Sequence, residues 1–229
     1  MNSAQIRENL AEVQRRIASA AAQAGRPVSE IALLAVSKTR TAAEVLAAYH
    51  AGQLAFGENY VNEALDKIAA LSDLPLEWHY IGAIQSNKTR LIAEHFSWVH
   101  TLASVKHAKR LDKQRSRDKP PMNVCIQVNT SHEESKGGIA AAELPTLARE
   151  VMSCAALRLR GLMALPAPVD DYAQQRRNFS QLRRLREQLQ QQGIELDTLS
   201  MGMSADLEAA IAEGATIVRI GTAIFGPRD

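Results

Sequence analysis

Apolar and polar positions along this chain recur in two periods. Near the N-terminus Ile6, Leu10, Val13 and Ile17 follow helical spacing, Gly25 marks a stop and Pro27 follows. Beyond them, short apolar runs predict strands at 31–37, 54–57, 77–81, 98–102, 122–129, 159–163, 196–200 and 215–220. Helical patterns fill 41–50, 60–71, 86–95, 104–116, 140–153, 172–191 and 204–212. Thr41-Ala-Ala-Glu44 reads as a capping box, and Gly52, Gly193 and Gly214 stand where helices stop. This alternation predicts an α/β fold: one (β/α)8 TIM-type barrel forming a single domain over residues 1–229. The stretch after Ile220 is too short for a full last helix, so the N-terminal helix is expected to take that place in the outer ring. An open doubly wound sheet is the structural alternative. It usually carries a Gly-rich nucleotide fingerprint after its first strand, and Ser37-Lys38-Thr39-Arg40 is unlike one.

Composition narrows the classes. A formal charge of +2 is too small to argue for nucleic acid, and 4% aromatic residues are too few for base-stacking platforms. Cys125 and Cys154 show no metal spacing, and Cys125, inside an apolar run, reads as a buried free thiol. No apolar signal core or membrane-length run stands out, so a cytoplasmic protein without membrane partners is expected. Two basic stretches, one from Lys106 through Arg115 to Lys119 and one from Arg176 to Arg186, read first as solvated helix faces.

Candidate chemistry gathers at the predicted strand ends, where barrel sites are built. The run Ile31-Ala-Leu-Leu-Ala-Val-Ser37 ends in Lys38. An ammonium held among apolar neighbours loses hydration, its pKa falls, and the neutral amine can attack an aldehyde. The plain alternative is a lysine that reaches solvent. Ser200-Met-Gly-Met-Ser204 and Arg219-Ile-Gly-Thr222, after the seventh and eighth strands, resemble a phosphate cradle. In it Gly202 and Gly221 admit close backbone approach, and Ser200, Ser204 and Thr222 supply hydroxyls. Ser204 is also expected to cap the helix at 204–212. Arg219 on a buried strand needs an acceptor, either a structural carboxylate or a ligand. His79 reads as a wall residue or a site residue, Asn59 as a helix cap or a ligand contact, and Glu58 as a partner for a lysine, with Phe56 and Trp78 in the core.

Taken together, Leu34-Ala-Val-Ser-Lys-Thr39, Phe56-Gly-Glu-Asn-Tyr60, Trp78-His-Tyr-Ile-Gly82 with Gln85-Ser-Asn-Lys88, Gly161-Leu-Met163, Ser200-Met-Gly-Met-Ser204 and Val218-Arg-Ile-Gly-Thr222 resemble the pyridoxal phosphate homeostasis protein family. Its barrel is similar to the alanine racemase N-terminal domain of fold-type III pyridoxal 5'-phosphate (PLP) proteins. The resemblance implies that Lys38 holds PLP as a Schiff base, that Ser200, Gly221 and Thr222 bind its phosphate, and that Arg219 faces the pyridine nitrogen. It also implies that Asn59, Met201, Gly202 and Met203 line the site. A non-catalytic regulator of PLP supply is expected, with apo PLP-dependent enzymes as recipients. Amino-acid racemase or lyase activity is the alternative, and a cofactor-free Schiff-base aldolase a third class. A monomer is expected, because the racemase dimer depends on a second domain, and none of Tyr49, Tyr60, Tyr80 and Tyr172 follows the barrel. Lys136, in the polar loop after the fifth strand, is a candidate secondary contact for PLP in transit. Ala83 replaces a common family proline, and the chain stops at Asp229, short of the lysines many relatives carry there.

Overall fold

A computed structural model describes residues 1–131 and 137–227; Lys136 lies outside the described residues. Eight parallel strands close into a barrel in chain order. They are β1 (Ala32–Val36), β2 (Ala55–Glu58), β3 (Glu77–Tyr80), β4 (Trp98–Leu102), β5 (Met122–Gln127), β6 (Leu157–Met163), β7 (Thr198–Ser200) and β8 (Ile217–Ile220). The barrel closes where β1 pairs with β8, from Ala32 opposite Ile217 to Ala35 opposite Ile220. Around it run α1 (Ser3–Gln23), α2 (Ala42–His50), α3 (Val61–Ala70), α4 (Thr89–His95), α5 (Val105–Gln114), α6 (Leu144–Met152), α7 (Tyr172–Gln191), α8 (Leu207–Ala212) and α9 (Thr222–Phe225).

The sequence pattern accounts for the layers. Ile6, Leu10, Val13 and Ile17 of α1 are all buried, each contributing roughly 1.5–3 kcal/mol of apolar transfer. Helix α1 packs on α2, α8 and α9, and so fills the ring position that a full helix after β8 would take. The capping box of Thr41 and Glu44 is formed. Gly52, Gly193 and Gly214 adopt φ of +95°, +80° and +93°, the left-handed turn that ends a helix without a Cβ penalty. Phe56 and Trp78 belong to the core between strands and helices. A separate cluster of Leu34, Trp98, Cys125, Met163 and Ile217 packs together.

Three local expectations are corrected. Helix α8 begins at Leu207, with Asp206 at its N-cap, so Ser204 does not cap it. The reason is a turn in which the Met203 N–H donates to Asp206 Oδ1 at 2.6 Å, which delays the helix. Helix α4 starts at Thr89 rather than 86. Arg115, expected on a solvated face, is 8% exposed. Its guanidinium donates to the carbonyls of Ala93, Phe96 and Pro120, tying the end of α5 to the end of α4.

Candidate functional site

At the C-terminal ends of the strands lies a cavity of about 270 Å³, lined by Lys38, Arg40, Asn59, Arg219 and Thr222 among others. Lys38 follows β1 after Ser37, and the chain then turns sharply: Thr39 has φ +64°. Its N–H donates to Glu63 Oε1 of α3 at 2.6 Å. Lys67, one turn further along α3, donates to the same Glu63 oxygen, to Glu58 Oε1 and to the Ser37 carbonyl, each at 2.7 Å. Ser37 Oγ adds a bond to Glu58 Oε1 at 2.6 Å, so a buried ionic lattice fixes the backbone on both sides of Lys38. The far wall is held by α1: Arg16 donates to both Glu208 oxygens, at 2.8 and 3.0 Å, and to the Ser204 carbonyl at 3.0 Å.

The charges lining the cavity have one sign. Among the described residues the ionisable groups there are Lys38, Arg40 and Arg219, with no carboxylate. Arg219 is 4% exposed. Burial pushes its pKa down to about 10, with the charge of Asp206 opposing, so it stays cationic at neutral pH. Among the described residues no carboxylate forms an ion pair with it at hydrogen-bonding distance, although the charge of Asp206 acts on it. Instead it donates to Ser200 Oγ at 2.7 Å and to the Ala164 carbonyl at 2.9 Å. A buried guanidinium held only by neutral acceptors suits an acceptor supplied by a ligand. Arg40 is anchored by the carbonyls of Gly226 and Pro227, both at 2.7 Å, which draws the segment after α9 over the cavity edge.

Asn59 does not cap α3, whose N-cap is Tyr60 without a side-chain bond. Its Oδ1 is buried with no hydrogen-bond partner. An orphaned buried oxygen costs roughly 1–3 kcal/mol, and a ligand donor in the cavity would remove that cost. Gly82 makes this placement possible, because a Cβ there would lie 2.1 Å from the Asn59 carbonyl oxygen.

Of the nine residues expected at the site, Lys38, Asn59, Met203, Arg219, Gly221 and Thr222 line the cavity, as does Ser204. Ser200, Met201 and Gly202 do not. Ser200 is fully buried, and its hydroxyl is engaged by Arg219 and by His100 Nδ1, both at 2.7 Å. Met201 is fully buried in the strand–helix core. Gly202, at φ +95°, packs its α-carbon against Ala210, 2.5 Å from where a Cβ would stand. The reason is geometric: β7 ends at Ser200, still inside the barrel, and only from Met203 does the chain reach the mouth. The sequence reading missed Arg40, Ile81 and Leu165 as lining residues and His100 beneath them. A signal existed for Arg40, two positions after Lys38, and for His100, a polar residue within the predicted strand 98–102.

Comparisons with known proteins agree with this geometry. A family model described as the alanine racemase N-terminal domain matches residues 1–229. The pyridoxal phosphate homeostasis protein of Pseudomonas aeruginosa is 58% identical over 224 residues, covering 98% of this chain and 96% of that protein. The protein of the same name from Escherichia coli K12 is 52% identical over 227 residues, covering 98% and 97%. PipY of Synechococcus elongatus, solved with PLP bound, superposes with a TM-score of 0.84 at 39% identity, covering 96% of this chain and 100% of that one. Alanine racemase from Corynebacterium glutamicum gives a TM-score of 0.73 at 18% identity, a likeness of fold in which the match covers 62% of the racemase chain. A closed barrel with its lysine at the end of the first strand, together with relatives matched along nearly their whole length, places this chain in the alanine racemase N-terminal domain family, among the pyridoxal phosphate homeostasis proteins.

Proposed function

We propose that the chain binds pyridoxal 5'-phosphate in this cavity and serves PLP supply rather than amino-acid turnover. The observation that carries the reading is that, among the described residues, the ionisable groups lining the cavity are the cations Lys38, Arg40 and Arg219, around a space that also holds an orphaned Asn59 oxygen. A phosphorylated aldehyde matches that donor set. Lys38 takes the aldehyde covalently, and Gly221 and Thr222 receive the phosphate. The first N–H groups of α9 lack intrahelical acceptors and are available to it. Asn59 and Met203 flank the ring, and Arg219 faces its nitrogen. Ser200, Met201 and Gly202 act from behind by holding Arg219 and the loop.

When bound, the cofactor supplies an exchangeable aldehyde and an electron-withdrawing ring. A cationic Arg219 beside the ring nitrogen disfavours its protonation, which weakens the ring as an electron sink. The relatives named for homeostasis match along almost their full length, whereas the racemase extends well beyond the barrel. A carrier that holds, protects and hands PLP to apo-enzymes fits the weakened electron sink and the names of these relatives. No helix among the described residues is long and apolar enough to cross a membrane.

The test is reconstitution. Cofactor-free protein incubated with PLP should turn yellow, and borohydride should fix the label on Lys38. Label on another lysine overturns the site assignment, and steady racemisation or decarboxylation of amino acids overturns the carrier reading.

A further inference from the structure

The barrel interior carries polar residues that the proposed function does not use. Barrel interiors are ordinarily filled by branched aliphatic side chains, yet here His79, His100, Ser200 and Arg219 are all buried. They are in contact in series. Arg219 Nη1 lies 2.7 Å from Ser200 Oγ, Ser200 Oγ lies 2.7 Å from His100 Nδ1, and His100 Nε2 lies 2.9 Å from His79 Nδ1. His79 Nε2 lies 3.4 Å from Glu77 Oε2, a contact that is mainly electrostatic at that length. Glu77 opens β3, at the barrel end opposite the cavity.

Donor counting gives this series one direction. A guanidinium only donates, so Ser200 Oγ accepts from Arg219, and the single hydroxyl hydrogen must go elsewhere. The acceptor in reach is His100 Nδ1. Burial, with Arg219 and His79 nearby, holds His100 well below the usual histidine range, so the ring is neutral and its proton sits on Nε2. That N–H donates to His79 Nδ1, which places the His79 proton on Nε2, facing the carboxylate. The reverse order would strand the Ser200 hydrogen and aim a ring lone pair at Glu77. The remaining groups around the far end agree. Glu77 Oε1 accepts from Trp98 Nε1 at 2.8 Å. Arg160 lies over the Trp98 ring at 4.9 Å and is paired with Asp197. The Glu77 carboxyl is held below its ordinary range, chiefly by its contact with His79.

We infer that His79, His100 and Ser200, with Glu77 in electrostatic contact at the far end, form a one-directional hydrogen-bond relay through the barrel that orients Arg219. Each bond polarises the next in the low-dielectric interior. The relay and the Ala164 carbonyl fix the guanidinium, so Arg219 presents a set edge to the cavity, with Asp206 acting on it only through space. These four are positioning residues. Their effect on a bound ring rests on the PLP reading, but the relay itself does not.

The experiment has two arms. In cofactor-free protein, ¹⁵N-resolved NMR of the imidazoles should show His79 and His100 neutral, both protonated on Nε2, throughout the neutral pH range. A ring protonated on Nδ1, or an imidazolium, overturns the relay. In PLP-loaded protein, Ser200→Ala should shift the absorption of the bound cofactor and weaken its binding about tenfold, the loss of one charge-assisted bond. Glu77→Gln, which keeps shape and removes charge, should shift the absorption in the same direction. Unchanged spectra in both variants overturn the link to the cavity. Failure of the wild type to take up PLP overturns the functional reading, and the imidazole resonances still decide the relay.

Discussion

Glu63 Oε1 accepts the backbone N–H of Thr39 at 2.6 Å, and this bond pins the left-handed residue that follows Lys38. A β-branched residue at positive φ is an outlier that persists only when its surroundings hold it. Glu63→Ala should therefore lower stability by about 0.5–1.5 kcal/mol, the net worth of a hydrogen bond, because Thr39 is exposed and water can take up its N–H. It should also slow covalent capture of PLP, because the turn that aims Lys38 loosens. Urea unfolding and the rate of yellow colour formation measure the two effects; an unchanged capture rate would show that the turn is held by other contacts.

Lys67 and Glu58 form a buried pair, their side chains 5% and 0% exposed. Removing the cation leaves Glu58 without compensation, so Lys67→Met should cost about 3–5 kcal/mol, and adding Glu58→Gln should recover most of it. Burial already pushes the Glu58 carboxyl up, against the pull of Lys67 and Ser37. A folded pKa above the unfolded value means that the folded state binds more protons between the two, so stability falls as pH rises through that window. The deficit of Lys67→Met should accordingly be smallest in acid and grow above about pH 4.5, a trend that denaturation at several pH values reads directly.

The histidine pair predicts the opposite slope. Burial lowers the pKa of both His79 and His100. Below the ordinary value of 6.5 the unfolded chain takes up protons that the folded chain refuses, so stability should fall as pH drops under that value. Two such groups give up to about 2.7 kcal/mol per pH unit. Calorimetry from neutral pH downward should show proton uptake on unfolding, reduced in a His79→Phe, His100→Phe double variant. A flat profile would mean that the rings charge in place.

Phosphate recognition should dominate non-covalent affinity. Hydrogen bonds to a charged group contribute roughly 1.5–3 kcal/mol each, so losing two should weaken binding by on the order of a hundredfold. Pyridoxal, which keeps the aldehyde, should bind that much more weakly than PLP, and Thr222→Val should narrow the gap by weakening PLP. Parallel titrations of both ligands check this; equal affinities in the wild type would place the phosphate elsewhere.

Much of this architecture was legible in the chain because it is locally encoded. The helical recurrence of Ile6, Leu10, Val13 and Ile17 and the eight apolar runs each mark surface that must leave water, and their alternation admits few closed arrangements. Lys38 stood out for the same reason, as a charge ending an apolar strand. The motif at 200–204 was legible as a loop but not as a division of labour. Where β7 ends relative to its neighbours decides that Ser200 faces inward to Arg219 while Met203 reaches the cavity. Likewise nothing local links His100 to Ser200, 100 residues apart. The sequence by itself determined the elements and the apolar faces that must leave water, since those follow from periodicity. Which inward side chains meet across the interior depends on barrel closure and strand register, and only the tertiary structure decided it.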